Sequence, residues 1–211
     1  MASDPDLPPP RLYLVTPRLA AAAPFDAALQ AALGAGDVAC VLVRFATDDP
    51  GKRKQIVRDL AGLAQDAGAA LLVENDAQLA ARAGADGVHV SGTGEALEQA
   101  LESLKPERIV GVGALQTRDD CMSVGERDVD YLMFGGPSDP LPHGQALDRA
   151  QWWAEIFNVP CVAFAATLEE IEALAAAHVE FVGLCEAIWD DPRGPAVAVA
   201  EADRRCAGAA A

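Results

Sequence analysis

The stretch that decides the fold is ENDAQLAARAGADGVHV, residues 74–90, which directly follows the apolar run AALLV at residues 69–73. It has the pattern of a strand end, a short helix and a second buried strand, which together make one βαβ unit. The polar residues Asn75 and Asp76 come just after the first strand, where α/β barrels and open parallel sheets carry their reactive groups. The chemistry of this chain is therefore expected at the ends of its strands.

The same alternation of strand and helix continues through the chain. Short apolar runs rich in β-branched residues are each followed by a turn signal and by an Ala- and Leu-rich stretch with helical spacing, which is typical of parallel sheets. Eight strands are predicted, at residues 11–15, 38–43, 69–73, 87–90, 108–112, 131–134, 160–164 and 181–184. Eight helices are predicted at residues 25–33, 52–67, 77–83, 95–104, 119–126, 145–157, 168–177 and 196–205.

Eight βα repeats in this order predict a single-domain α/β protein, a closed (β/α)8 TIM barrel. Several predicted helices end on a glycine, such as Gly68 and Gly84, as expected where the chain takes a left-handed turn. A doubly wound open sheet is the alternative. That fold normally has fewer strands and a GxGxxG phosphate-binding turn, and the GVG at residues 111–113 lacks the third glycine.

The composition narrows the class of partner. The chain has 211 residues, 51% of them hydrophobic, which is enough for one large core, and a formal net charge of −16. This acidic balance argues against nucleic acid and against an anionic membrane surface, because both recruit clustered Lys and Arg. No apolar run is long enough to span a bilayer. We expect a small phosphorylated or heterocyclic molecule as partner, and the sequence leaves a homo-oligomer open.

The barrel is expected to span residues 11–206, between a disordered Pro-rich tail at residues 1–10 and a frayed Ala-rich tail at residues 207–211. The first tail lacks the basic start and apolar stretch of a signal peptide, which predicts a cytoplasmic protein. The five cysteines are scattered without metal-binding spacing, and several lie in strand-like runs. They are interpreted as small buried side chains in a reducing compartment.

Five motifs together suggest a family. They are LYLVT at residues 12–16, VLVR at 41–44, the Asn75-Asp76 pair with ADGVHV at 85–90, IVGVG at 109–113, and DYLMFGGP at 130–137. In these motifs the chain resembles, over nearly its whole length, the thiamine phosphate synthase superfamily, which includes the related thiazole tautomerases. The resemblance implies a barrel whose carboxyl-terminal mouth joins a hydroxymethylpyrimidine diphosphate to a thiazole phosphate and releases diphosphate with the help of Mg²⁺.

The resemblance also assigns residues. Arg44 matches the family's diphosphate-binding arginine, Asn75 the adjacent asparagine and Asp76 the first Mg²⁺ carboxylate. The candidate metal ligand is therefore Asp76. The candidate substrate-binding residues are Arg44, Asn75, His89, Ser91, Gly113, Gly135 and Gly136.

Other positions of the family's site are altered. The second metal carboxylate falls on Gly94, which weakens the expected Mg²⁺ site, and the family's glutamine and lysine on either side of Arg44 are Leu42 and Ala46. The glycine pair that presents amides to the thiazole phosphate is 165–166, here two alanines. The family's serine is Gly113, the histidine that follows it is Leu115, and the threonine-and-lysine loop is SDPLPH at residues 138–143.

The remaining candidates have structural alternatives that stay open. An Asp directly before a helix is a good N-cap, so Asp76 has a purely structural interpretation. An Arg at a buried strand end needs a partner, which for Arg44 is either a ligand or Asp48, Asp49 or Asp76. His89 is either a hydrogen-bonded core residue or a base.

A role in ligand binding is expected less of Lys52, Lys54 and His143, and of the turns that follow the last two strands. Lys52 and Lys54 either fold over the mouth or lie in the exposed first turn of the second helix, and His143 is expected in a solvated loop. Acidic residues follow the last two strands, at 169–170 and 186–191, and like-charge repulsion there disfavours a phosphate.

Three hypotheses follow. The first is a thiamine phosphate synthase-like transferase, with activity reduced or lost. The second is a catalytically inactive barrel of the same superfamily that binds a small ligand or regulates a partner. The third is another barrel reaction on a less phosphorylated substrate, with proton transfer by His89, Ser91 or Glu186.

Overall fold

A computed structural model describes residues 8–209 of the chain, and eight parallel strands in it close into one barrel in the order β1 to β8. The strands are β1 Arg11–Leu19, β2 Val38–Phe45, β3 Ala70–Glu74, β4 Gly87–Ser91, β5 Ile109–Gly113, β6 Tyr131–Phe134, β7 Cys161–Phe164 and β8 Phe181–Leu184. The helices are α1 Phe25–Leu33, α2 Pro50–Asp66, α3 Ala77–Ala83, α4 Glu95–Leu104, α5 Arg118–Gly125, α6 His143–Ile156, α7 Ile171–Ala175, α8 Glu186–Trp189 and α9 Pro195–Ala209. The (β/α)8 prediction is confirmed, and the open sheet is excluded.

Two apolar layers follow from the alternation of side chains along the strands. One layer fills the space between the sheet and the ring of helices and contains large buried side chains such as Leu12, Leu14 and Trp153. The other fills the inside of the barrel with Tyr13, Val15, Cys40, Leu42, Leu72, Tyr131, Met133, Val162 and Cys185. Because Leu42 and Leu72 point inward, residues two positions further along the same strands point into the barrel mouth.

Strand β1 is longer than predicted. Its pairing with β2 shifts register between Val15 and Arg18, and pairing then resumes with Arg18 opposite Arg44. Pro17 lies in this irregularity, as expected for a residue that has no backbone N–H for the ladder. The extension carries β1 beyond the predicted end at Val15 to Leu19.

The end of the chain differs from the sequence prediction in three ways. The predicted helix at residues 168–177 is a 3₁₀ turn at Leu168–Glu170 followed by the short helix α7. Helix α8 was not predicted, and it holds because Ile188 is buried while the Trp189 indole Nε1 donates to Val15 O over 2.7 Å. Helix α9 continues through Ala209, beyond the predicted helix end at residue 205; alanine is the strongest helix former.

Residues 1–7 of the first predicted tail and residues 210–211 of the second lie outside the described residues. All five cysteines are buried as free thiols. None of the helices within residues 8–209 is long and apolar enough to cross a membrane.

Candidate active site

The barrel mouth holds a small cavity, called here the mouth cavity. Its lining includes Arg44 from β2, Glu74 from β3, His89 and Ser91 from β4, and the 135–139 segment that follows β6. The space in it open to a water molecule is about 20 Å³, close to the room that a single water needs. The mouth cavity is therefore nearly filled by the protein's own side chains, whereas a second cavity of about 330 Å³ lies on the other side of Arg44, beside Cys185 and Glu186.

Arg44 is fixed in place from both ends. It is only 5% exposed, its backbone N donates to Thr16 Oγ1 over 3.0 Å, and its Nε donates to Thr16 O over 2.8 Å. Its Nη2 donates to Cys185 Sγ over 3.2 Å and lies 4.0 Å from a Glu186 carboxylate oxygen. The carboxylate beside Arg44 is thus Glu186, on the far side from the predicted partners Asp48, Asp49 and Asp76. Burial raises the pKa of the Cys185 thiol to about 12, which keeps it a neutral acceptor.

His89 belongs to a buried chain of hydrogen bonds along the barrel interior. Its Nδ1 lies 2.9 Å from the hydroxyl of Tyr131, and that hydroxyl lies 2.7 Å from the hydroxyl of Tyr13. Burial lowers the pKa of His89 to about 4 and raises the pKa of both tyrosines well above its usual value. At neutral pH the imidazole is therefore uncharged, and it is a hydrogen-bonded core residue at the edge of the mouth cavity.

Asn75 and Ser91 brace the ends of two neighbouring strands. The Asn75 side chain accepts from the backbone N of Ser91 over 2.8 Å and donates through Nδ2 to Ser91 Oγ over 3.2 Å. Asn75 has a positive φ of 54°, which Asn tolerates better than most residues. This turn separates Asn75 from the mouth cavity, which its side chain does not line; Ser91 does line it.

Asp76 caps helix α3, as its structural interpretation predicts. Its Oδ1 accepts from the backbone N of Leu79 over 2.8 Å. Asp76 lines two lateral cavities: one of about 610 Å³, which Asn75 also lines beside α3 and α4, and one of about 290 Å³ between α2 and α3. Arg44, Asn75 and Asp76 thus lie at the same end of the barrel, but they do not line one cavity.

The glycines of the site differ in their structural roles. A Cβ on Gly113 would lie 2.7 Å from His89 Nε2, so only glycine fits beside this imidazole. Gly135 and Gly136 have φ values of 80° and 151° and turn the chain after β6 over the mouth cavity, which both line. Gly94 precedes α4 in an extended conformation and offers no side chain to a metal.

The lysines and His143 take other places. Lys52 and Lys54 lie in the first turns of α2, and Lys54 lines the 290 Å³ lateral cavity beside Asp76. Neither lysine is among the residues that line the mouth cavity. His143 begins helix α6 instead of lying in a solvated loop, and its Nδ1 is 3.7 Å from Glu170 Oε2.

The backbone amides after β7 are already engaged. The amide of Ala166 donates to Glu170 Oε2 over 2.7 Å, and the amide of Thr167 donates to the same oxygen over 3.4 Å. Glu170 and Thr167 also form a capping box at the start of the 3₁₀ turn. A carboxylate of the chain itself therefore occupies the Ala166 amide, one of the two that the family resemblance assigns to a phosphate.

Glu74 and Ser138 were missed by the sequence analysis. Glu74 is the last residue of β3 and lines the mouth cavity, and its Oε1 accepts from Ser138 Oγ over 2.8 Å. The signal was present, because Glu74 follows the inward-pointing Leu72 at a spacing of two. Ser138 carried no comparable signal, since its position depends on the path of the loop after Gly136.

Comparisons with known proteins identify the family. The family model described as thiamine monophosphate synthase matches residues 12–188. A thiamine-phosphate synthase of Rhodospirillum centenum is 36% identical over 200 residues, which cover 92% of this chain and 96% of that protein. The chain belongs to the thiamine monophosphate synthase family.

One further relative supports the assignment, and one solved structure shares the fold. A thiamine-phosphate synthase of Hyphomonas neptunium is 30% identical and covers 91% of both chains. The structure of a thiamine phosphate pyrophosphorylase from Pyrococcus furiosus superposes with a TM-score of 0.80, over 94% of this chain and 96% of that chain, at 18% identity. At that identity the structural match shows the shared barrel fold.

Proposed function

We propose that this chain is a thiamine-phosphate synthase-type transferase that joins a hydroxymethylpyrimidine diphosphate to a thiazole phosphate and releases diphosphate, with reduced activity. The observation that carries the proposal is that Arg44 is buried at the barrel mouth and held by three hydrogen bonds, two of them from its guanidinium. Its guanidinium is oriented by Thr16 and Cys185 before any ligand arrives. Membership of the family supplies the reaction class.

Arg44 has a defined part in this reaction. When the bond between the pyrimidine methylene and the diphosphate oxygen breaks, negative charge develops on the leaving diphosphate. A fixed, buried guanidinium stabilises that charge without reorganising, and removing one such donor typically costs about 10²–10³ in rate. Glu186 lies 4.0 Å from the same guanidinium and is exposed to solvent, so a bound diphosphate is expected to displace it.

The number of carboxylates at the site determines how a Mg²⁺ ion could be bound. Within residues 8–209 no group of three or more His, Cys, Asp and Glu side chains is arranged to hold a metal ion. Asp76 uses one carboxylate oxygen to cap α3 and keeps the other, and position 94 offers none. One carboxylate suits a Mg²⁺ that arrives on the diphosphate, with phosphate oxygens and waters completing its coordination, and it does not suit a resident metal. When bound, the ion would neutralise part of the diphosphate charge.

The second candidate function is a small-ligand-binding or regulatory barrel without turnover. The specific observation in its favour is the engagement of the Ala166 and Thr167 amides by Glu170, which competes with a thiazole phosphate. The alanine at position 46 and the glycine at position 94 also remove a cation and a carboxylate that the reaction uses in the family. This candidate predicts ligand binding without product.

Single-turnover kinetics separates the two candidates. Purified chain in excess over the pyrimidine diphosphate is mixed with thiazole phosphate and Mg²⁺, and thiamine phosphate is quantified by its oxidised fluorescent derivative. The synthase proposal expects Mg²⁺-dependent product, reduced at least about tenfold in Arg44→Lys, which keeps the charge and loses the planar fork. Diphosphate binding by calorimetry without any product in the wild-type chain would support the binding barrel and refute the transferase.

A further inference from the structure

Two opposite charges from neighbouring strands line the mouth cavity without pairing. The β2–β3 ladder aligns Val43 with Val73, so Arg44 and Glu74 occupy the next register positions on adjacent strands. No ion pair within 4 Å joins them in the described part of the chain. Arg44 turns toward Thr16, Cys185 and Glu186, whereas Glu74 turns toward Ser138.

This separation gives the mouth two chemically different ends. The guanidinium lies on the side of β1 and β8 and offers donors, as an anion requires. The carboxylate of Glu74 lies on the side of β3 and of the loop after β6 and offers only acceptor oxygens. A ligand that matches both ends carries an anionic group at one end and N–H donors at the other.

Ser138 occupies the acceptor end of the mouth. Gly135 and Gly136 bring the loop over the cavity, and the Ser138 hydroxyl donates to Glu74 Oε1 over 2.8 Å. With about 20 Å³ of free space, a ring cannot reach Glu74 while this hydroxyl is in place. The hydroxyl therefore stands where an N–H of a ligand would have to be.

Leu42 gives the mouth an apolar wall beside Arg44. It lines the same cavity next to Arg44 and has no hydrogen-bonding group, in place of the family's glutamine. A hydrogen bond to a heterocycle in the mouth must therefore come from another lining residue. Two carboxylates line the cavity on this side, Glu74 at the end of β3 and Asp139 on the loop after β6. Glu74 is the charged acceptor that a barrel strand holds in place.

We propose that Glu74 is a specificity-determining residue, whose carboxylate accepts a hydrogen bond from the exocyclic amino group of an aminopyrimidine diphosphate bound by Arg44, and that Ser138 holds this acceptor until the ligand displaces it. This inference rests on the proposed function for the anionic end of the ligand. It adds the recognition of the heterocycle, and it assigns opposite effects to two residues that are bonded to each other.

The test is calorimetric titration of the full chain with three ligands: the aminopyrimidine diphosphate, its analogue with hydrogen in place of the amino group, and inorganic diphosphate. The wild-type chain is expected to prefer the amino ligand by about 10–100-fold, the range of a hydrogen bond to a charged group. In Glu74→Leu the preference falls to within about twofold, while inorganic diphosphate binds no more weakly. Glu74→Gln, which keeps the side-chain volume, is expected to lose most of the preference as well.

Ser138→Ala distinguishes two roles of the Glu74–Ser138 hydrogen bond: holding the acceptor that recognises the ligand, or only ordering the loop. Removing the competing hydroxyl is expected to tighten binding of the amino ligand by about 2–10-fold, the range of one neutral hydrogen bond. If the Glu74–Ser138 contact only organised the loop, both variants would weaken binding. Glu186→Gln is the matched control, a carboxylate at the other end of the mouth, and should leave the amino preference unchanged.

Different results overturn the inference and the proposed function. An amino preference that survives in both Glu74 variants, or weaker binding in Ser138→Ala, overturns the inference while the proposed function stands. Failure of the folded wild-type chain to bind any of the three ligands overturns the proposed function and the inference with it. Thermal unfolding of each variant verifies that the protein titrated is folded.

Discussion

The carboxylate of Glu170 accepts a hydrogen bond from the backbone amide of Ala166 at 2.7 Å, so that an acidic side chain fills an amide site at the end of β7. In the family this turn is assigned to a phosphate. A negative charge bound here has two effects on a phosphate ligand: it takes the donors, and it repels the dianion.

We predict that Glu170→Ala tightens binding of thiazole phosphate by about tenfold, since removing the charge and freeing the amides together are worth on the order of 1–2 kcal/mol. The free energy of unfolding should fall by about 1 kcal/mol because the capping box is lost. Calorimetry and urea unfolding measure the two effects. Glu169→Ala is the control, because Glu169 lies in the same turn and does not bond the Ala166 amide. Equal gains in both variants would show that only the general charge matters.

Substitutions of Asp76 can separate its helix-capping role from a role in binding Mg²⁺. Asn caps helices as well as Asp does, so Asp76→Asn should keep the free energy of unfolding within about 0.5 kcal/mol, whereas Asp76→Ala should lose about 1 kcal/mol. Both substitutions should abolish any Mg²⁺-dependent strengthening of diphosphate binding. Titrations of diphosphate with and without Mg²⁺ measure this. A Mg²⁺ effect that persists in Asp76→Asn would place the ion elsewhere.

Stability should fall on mild acidification because of His89. Its pKa is about 4 in the folded chain, against 6.5 for a solvated imidazole, so the unfolded state takes up the proton first as the pH falls. The stability is fully present above pH 6.5 and is lost toward pH 4, by about 2 kcal/mol at pH 5 and about 3 kcal/mol in total. Urea unfolding at pH 7.5, 6 and 5 measures the slope. His89→Gln should show a shallower slope, and an unchanged slope would assign the effect to other groups.

Two glycine substitutions should have opposite signs. Gly113→Ala places a methyl 2.7 Å from His89 Nε2 and should destabilise the chain by about 1–3 kcal/mol. Gly62→Ala, inside α2 with no atom within 4 Å of the new methyl, should stabilise it by about 0.5–1 kcal/mol. Thermal unfolding compares them. A neutral Gly113→Ala would mean that His89 moves freely, against its hydrogen bond to Tyr131.

The barrel could be predicted from the sequence because its signals are local. Each strand is an apolar run of its own, and the inward position of Arg44 follows from its spacing of two from Leu42. The cap at Asp76 could be foreseen for the same reason, since an N-cap bonds within three residues of its own chain. Sequence spacing is sufficient wherever both partners belong to one βα unit.

The contacts of the site that could not be predicted join segments that are distant in the sequence. Ser138 meets Glu74 across the barrel mouth, and Arg44 meets Glu186 only because the unpredicted helix α8 follows β8. The occupied amide at Ala166 depends on a 3₁₀ turn that the helical pattern of residues 168–177 conceals. None of these contacts has a periodicity, so they could be found only once the ring of strands had closed.

The near-filled mouth has a kinetic consequence. A ring needs far more than 20 Å³, so the loop bearing Ser138 must move before a ring can reach the part of the mouth beside Glu74. Association then includes a unimolecular opening step, and the observed on-rate should reach a plateau at high reactant concentration instead of rising linearly. How often that gate opens would set an upper bound on turnover, whatever the speed of bond breaking inside.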